Sequence, residues 1–203
     1  MKRLYYNESM FSSRICSESN CHTYALKGRD KCYQHIEGRS EVLSEMTRLL
    51  TEEKHVEDES ILNAEFEGLD ISKARILSSN FSFCVFRHCN FDGAAIRDSF
   101  FDYAIFDSCF FRDSDIDFSV FAGSTMRNTT FEGSSIIRTS FMAMDSFSSI
   151  FDSSDLYLSN FSLSKLILSS FDDCNLKRVN FRSTINHGTT FRYSNPEEAF
   201  FQI

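Results

Sequence analysis

Cys89-Asn90-Phe91-Asp92-Gly93-Ala94-Ala95-Ile96-Arg97-Asp98-Ser99-Phe100-Phe101-Asp102-Tyr103-Ala104-Ile105-Phe106 places one large apolar residue at every fifth position and a small residue two places before each. The same register extends in both directions. Of the 29 positions from 61 to 201 taken in steps of five, 26 are Phe, Ile, Leu or Met, and the exceptions are Ser146, Asn186 and Pro196. Of the 29 positions two residues earlier, 25 are Ala, Ser, Thr or Cys, and the exceptions are Glu59, Leu69, Met144 and Val179. Neither the 3.6-residue period of a helix nor the two-residue period of a strand sustains a period of five.

A second period sets the architecture. In steps of twenty, one column reads Phe81, Phe101, Phe121, Phe141, Phe161, Phe181 and another Phe91, Phe111, Phe131, Phe151, Phe171, Phe191. A third is aliphatic, from Ile76 through Ile136 to Leu156 and Leu176. The fourth starts Phe66, Phe86, Phe106 and then falters through Met126, Ser146, Leu166 and Asn186. Four five-residue units therefore make one turn of a solenoid, and like side chains stack from turn to turn. The large residue and the small one before it face the axis, and the other three face solvent. At the usual strand spacing, seven turns make a rod about 34 Å long. At Ser146 and Asn186 the residues themselves predict a local bulge with Phe147 or Ile185 turned inward, or else a kink or a bound ligand.

Units such as Cys89-Asn90-Phe91-Asp92-Gly93, Ser154-Asp155-Leu156-Tyr157-Leu158 and Cys174-Asn175-Leu176-Lys177-Arg178 resemble those of the pentapeptide-repeat family. The resemblance implies a mainly β fold, a right-handed quadrilateral β-helix of about seven coils spanning residues 59–203. It also implies dimerisation by C-terminal stacking. Some members of that family mimic duplex DNA and bind DNA gyrase and topoisomerase IV, with quinolone protection as the consequence.

The first sixty residues lack the repeat. In residues 1–38, Cys16, Cys21, Cys32 and His35 have the number and type of ligands for tetrahedral zinc, resembling short Cys-Cys-Cys-His zinc-knuckle modules. His22 is an alternative ligand, and free thiols on a loose arm are the alternative to a site. So small a segment needs a staple, which favours a structural Zn2+. In the helical segment, residues 39–58, Val42, Leu43, Met46, Leu49 and Leu50 share one face, with Ser40 as the expected N-cap. This amphipathic helix is read as a cap over the first coil, the alternative being a partner-binding helix.

The chain has 203 residues, 23 of them Phe, and a formal net charge of −8, which argues against a nucleic-acid ligand. No segment is long and apolar enough to span a membrane, and the first residues show no signal-peptide pattern. The cysteines do not form a disulfide framework, so a cytoplasmic protein is expected. No phosphate-binding glycine loop, nucleophile elbow or paired metalloprotease histidines occur, and the chain reads as non-enzymatic. Its outward positions supply three candidate surfaces. Asp92, Asp113, Glu132, Asp152, Asp172 and Asp173 form an acidic face, either a DNA mimic or a solubilising surface. Met142, Phe147, Tyr157, Leu158, Leu163, Ile167 and Leu168 form an apolar patch for a protein partner. Phe200, Phe201 and Ile203 tip an open end suited to a homodimer. The expected function is an interaction scaffold.

Overall fold

The computed structural model describes residues 14–201; Ile203 and the segment without a signal-peptide pattern lie outside them. The chain is a parallel β-solenoid of about seven coils, preceded by one short helix and a small Cys/His module. Its four sides are numbered here in chain order, starting from the column of Phe81. The second side carries a seven-stranded parallel ladder from Glu65–Glu67 to Ile185–His187. The fourth side carries a five-stranded ladder from His55–Glu57 to Ser135–Ile137. It continues through single bridges to Asp155 and Asn175. The first and third sides are tight turns joined by single bridges such as Ser60 to Asn80 and Asp70 to Asn90. Each strand pairs with the residue twenty places on, as between Phe66 and Phe86 or Ile76 and Ile96.

The corners have one backbone solution. The second residue after each inward apolar one adopts positive φ, from Asn63 at 60° through Phe83 at 62° and Tyr103 at 56° to Tyr193 at 62°. Left-handed backbone costs a non-glycine residue about 1–2 kcal/mol and excludes β-branched ones. None of these positions holds Val, Ile, Thr or Pro. Ladder bonds offset the strain. The Phe83 N–H donates to the Asp102 carbonyl at 2.8 Å, and that of Tyr103 to Ala122 at 2.9 Å.

The interior follows the columns. Phe91, Phe111, Phe131, Phe151 and Phe171 stack with centroids 4.4–4.8 Å apart. The Phe81 column stacks at 4.8–5.4 Å. Each buried ring is worth roughly 1.5–3 kcal/mol. In the early coils Phe86 and Phe106 sit between the two columns. Where that third aromatic column ends, the other two meet edge to face, from Phe131 against Phe141 at 5.9 Å to Phe161 against Phe171 at 5.3 Å.

The small column needs polarity as well as size. The Ser159 hydroxyl donates to the Ile136 carbonyl at 2.9 Å, and the Ser164 hydroxyl to Phe141 at 2.7 Å. Cys84 and Cys174 do the same toward Ile61 and Phe151. Each ties a coil to the one before it, a link that alanine cannot make.

The bulge expected at Ser146 does not form. Ser146 is fully buried, its strand Asp145–Phe147 keeps regular pairing on both sides, and Phe147 points outward. The space is filled two residues earlier by Met144, which is buried where a small residue is the rule. The large and small inward positions have exchanged size within one unit, and the Ser146 hydroxyl bonds that of Ser169 at 3.0 Å. Asn186 likewise keeps register, and Ile185 stays outside at 63% exposure.

The helix spans Arg39–Arg48 and ends in a π turn, Leu49–Glu53. Its N-cap is Gly38 at φ 74°, not Ser40, whose hydroxyl bonds the Glu41 carboxylate instead. Val42, Met46 and Leu50 join the core cluster with Val56 and Ile61, and Leu43 and Leu49 pack against it. The first coil is thereby covered. Among the described residues nothing covers the last coil in the same way: Asn186 and Phe201 are exposed and Phe191 is half-buried.

Met144→Ala is expected to cost roughly 2–5 kcal/mol of stability. Adding Ser146→Met to it should restore most of that loss. Denaturant titration followed by circular dichroism measures both, and an undiminished Met144→Ala chain would refute the size exchange.

Candidate metal centre and exposed faces

The Cys/His module is built from two turns and a short hairpin. An antiparallel bridge joins Ile15 to Tyr24, and the Cys16 N–H donates to the Thr23 carbonyl at 2.9 Å. Cys21 closes a turn onto Glu18 at 3.1 Å, just after Asn20 at φ 63°. Cys32 to His35 is a single turn, with the N–H groups of His35 and Ile36 both on the Cys32 carbonyl at 3.0 Å. The Cys32 N–H faces the Cys16 sulfur at 3.4 Å.

These turns bring four ligand atoms within 4.8 Å of one another. Cys21 and Cys32 sulfurs lie 3.9 Å apart, far beyond a disulfide bond, and all seven cysteines are free. His35 Nδ1 lies 3.6 Å from Cys16 Sγ and 3.3 Å from Cys32 Sγ. A tetrahedron with Zn–S and Zn–N bonds of ordinary length has edges of about 3.8 Å between sulfurs and about 3.6 Å between sulfur and nitrogen. The donor set can therefore hold a metal ion, with His35 and not His22 in the fourth place. The Thr23 hydroxyl, 2.9 Å from Cys21 Sγ, and the Thr23 N–H pull the Cys21 thiol down to about 6, while burial pushes Cys16 up.

The module is docked on the covered end of the solenoid. Leu26 is buried in the same cluster as Val42, Met46 and Leu50, with Tyr33 and Ile36 packed against it. The Lys27 ammonium donates to the Glu57 carbonyl at 2.7 Å and faces Glu59 at 3.9 Å, and Arg29 pairs with Glu45 at 3.3 Å. Burial pushes the Glu59 carboxyl up.

The six acidic residues lie on the third side, and three of them, Asp92, Asp152 and Asp172, do not present bare charge. Asp92 pairs with Arg112 at 3.0 Å and also accepts the Arg112 N–H at 2.8 Å. Asp172 does both for Arg192, at 2.8 and 2.7 Å. Asp152 accepts the N–H of Asp172 at 2.8 Å, and Asp173 accepts the Ser153 hydroxyl. Asp113 and Glu132 are exposed. Asp92, Asp152 and Asp172 thus satisfy backbone and guanidinium groups one coil away.

The seven apolar residues all point outward, distributed over three sides. Met142 and Leu163 lie on the first, Phe147, Ile167 and Leu168 on the second, and Tyr157 and Leu158 on the fourth. The exposed aromatics Phe83, Tyr103, Phe110, Phe118 and Tyr193 escaped the reading of the sequence. Phe83 and Tyr103 stack on the first side with centroids 5.2 Å apart. Their signal was the outward column Asn63, Phe83, Tyr103, Gly123, Ala143, Leu163, legible in steps of twenty.

Burial alone would raise the Asp172 carboxyl, but the Arg192 N–H, the Thr190 hydroxyl and the Arg192 guanidinium together hold it below the ordinary 3.8. A lowered folded value stabilises above the unfolded pKa and stops doing so as pH falls through the folded one. Asp172→Asn is therefore expected to lower the thermal midpoint at pH 7, and its deficit against wild type should shrink below about pH 4. Thermal melts across that range measure the difference; a deficit independent of pH would contradict the assignment.

No known family model matches the sequence, and no curated protein does. Among solved structures, full-length QnrB1, a plasmid-mediated fluoroquinolone resistance protein, is 13% identical. The match covers 70% of this chain and 81% of that one, with a TM-score of 0.27. HetL, a pentapeptide repeat protein involved in heterocyst differentiation regulation in the cyanobacterium Nostoc sp. strain PCC 7120, is 13% identical over 72% of this chain and 89% of its own, with a TM-score of 0.23. Rfr23 from the cyanobacterium Cyanothece 51142, also a pentapeptide repeat protein, is 7% identical over 79% and 99%, with a TM-score of 0.26. By its own five-residue period, its four units to a coil and its twenty-residue register in both ladders, the chain is a pentapeptide-repeat solenoid.

Proposed function

We propose that this protein is a non-enzymatic interaction scaffold, a zinc-stapled rod that dimerises through its C-terminal end and presents its sides to another protein. The observation that carries the reading is the contrast between the two ends. The helix buries Val56 and Ile61 at one end. At the other, among the described residues, Ile185, Phe200 and Phe201 are exposed, and the strand Ile185–His187 pairs on one side only. An apolar tip with an unpaired strand edge associates with its like, and an isologous contact closes after two copies.

Zinc suits the Cys3His set because thiolate and imidazole ligands at tetrahedral spacing favour it, and four protein ligands make the site structural. When bound, the metal would hold Leu26 and Lys27 against the helix and first coil. Phe147 and Leu168, exposed on the second side in neighbouring coils, supply a surface for the protein partner.

The dimer is tested by light scattering. Phe200→Asp with Phe201→Asp is expected to remove the end contact, and an unchanged molar mass refutes it. Native mass spectrometry should find one zinc ion per chain, lost in His35→Ala; a folded wild-type chain without metal refutes the staple. A DNA mimic would inhibit gyrase supercoiling in a salt-sensitive way. The arginine pairing of Asp92 and Asp172 weighs against that outcome, and the scaffold is expected to leave supercoiling unchanged.

A further inference from the structure

Of the seven cysteines, Cys21 is the one that is not buried. Cys84, Cys89, Cys109 and Cys174 lie inside the solenoid, where each thiol donates to a carbonyl of the preceding coil. Cys16 and Cys32 are buried within the module. An oxidant in solution therefore meets one sulfur first. Sulfur reacts as the thiolate, and only where it can be reached.

A second sulfur stands ready beside it. Cys32 Sγ lies 3.9 Å from Cys21 Sγ. A disulfide brings two sulfurs to about 2.05 Å, so the pair must approach by roughly 2 Å. Cys21 follows the turn at Asn20, and Cys32 opens the turn to His35, so no strand pairing resists that movement. Cys16 is held more firmly, beside the bridge of Ile15 to Tyr24 and with its N–H on the Thr23 carbonyl at 2.9 Å. The loop between Cys21 and Cys32 contains Leu26, Lys27 and Arg29, the residues that dock the module on the helix and first coil.

We propose that Cys21 is a site of reversible oxidation by hydrogen peroxide, with Cys32 as the resolving thiol. The Cys21 thiolate attacks one peroxide oxygen, the O–O bond breaks, and Cys21 becomes a sulfenic acid as hydroxide leaves. The Cys32 thiolate then attacks the Cys21 sulfur, forming the S–S bond and expelling the sulfenic hydroxyl as a second hydroxide. Two electrons pass from the two sulfurs to the peroxide, and the solvent supplies two protons to the hydroxides. Release of metal in this step rests on the reading of the module as a zinc site. With Cys21 and Cys32 joined, Cys16 and His35 are too few ligands to hold the ion. The disulfide keeps the loop of Leu26 closed after the metal has gone. The covered end is thus stapled in either state, by an ion when reduced and by a covalent bond when oxidised.

The test treats the full wild-type chain with a small excess of hydrogen peroxide. Peptide mapping should find one new bond, Cys21 to Cys32, reversed by dithiothreitol, with Cys84, Cys89, Cys109 and Cys174 still free. Zinc release, followed with a chromogenic chelator, should keep pace with that bond. In Cys32→Ser the sulfenic acid should persist at Cys21 and react with dimedone. With a chelator present, trypsin should cut the reduced chain at Lys27, Arg29 and Lys31 and spare the oxidised one. No bond, a bond from Cys21 to Cys16, or earlier oxidation of a core cysteine overturns the proposal. A Cys32→Ser chain without the dimedone adduct at Cys21 overturns the order of the steps. Zinc retained after the bond has formed overturns the release, and equal cutting of the two forms overturns the covalent staple. An untreated chain that carries no zinc sinks the zinc reading alone, because the disulfide is mapped without reference to metal.

Discussion

One residue in left-handed backbone at every fifth position turns this chain through its corners, and everything else depends on that geometry. The turn closes a coil in twenty residues, which aligns each residue with its like one coil away. Alignment lets Phe111 stack on Phe91 at 4.4 Å and lets the Phe83 N–H reach the next coil. The strain at each corner is on the order of 1 kcal/mol, and ladder bonds and ring burial offset it locally. No side of the rod can shift register without shifting all four. This is why Ser146 stays buried and regular although it removes a ring from its column.

Conservation of inward volume is the second rule of the interior. The pair of inward positions in each unit shares one space, so Met144 can compensate for Ser146. Hydroxyls and thiols in the small column add bonds between coils, such as that of Ser164 to Phe141. The core thus combines dry aromatic columns with a polar seam whose donors are mostly satisfied internally. Among the described residues, only Ser60, Ser124 and Ser149 have buried hydroxyls without a partner.

The ends and sides are where this uniform wall becomes particular. The module at Cys16–His35 adds Leu26, Lys27 and Arg29 to the covered end, so a metal held by its four donor residues would be mechanically joined to end closure. The third side uses Asp92, Asp152 and Asp172 to hold N–H and guanidinium groups one coil away, while Asp113, Glu132 and Asp173 stay exposed. The first side has almost no charge and two stacked, exposed aromatics. The rod thus carries four chemically different sides.

The sequence by itself determined the coil. Two nested periods, five and twenty, admit no other regular structure, and the four ligand residues were legible because Cys-x-x-His spacing is local. The absence of β-branched residues at the corner positions was equally readable, since that constraint acts within one residue. Contacts between coils needed the tertiary structure, because they join residues twenty or more positions apart. Ser146 read as a bulge, since nothing local announces that Met144 fills its space. The acidic column read as either a DNA mimic or a solubilising surface, and only the folded chain shows Arg112 and Arg192 pairing with Asp92 and Asp172. Gly38, in left-handed backbone at φ 74°, took the helix cap expected of Ser40. Side-chain direction and partnership over a distance were decided by the folded rod; the rod itself was decided by the repeat.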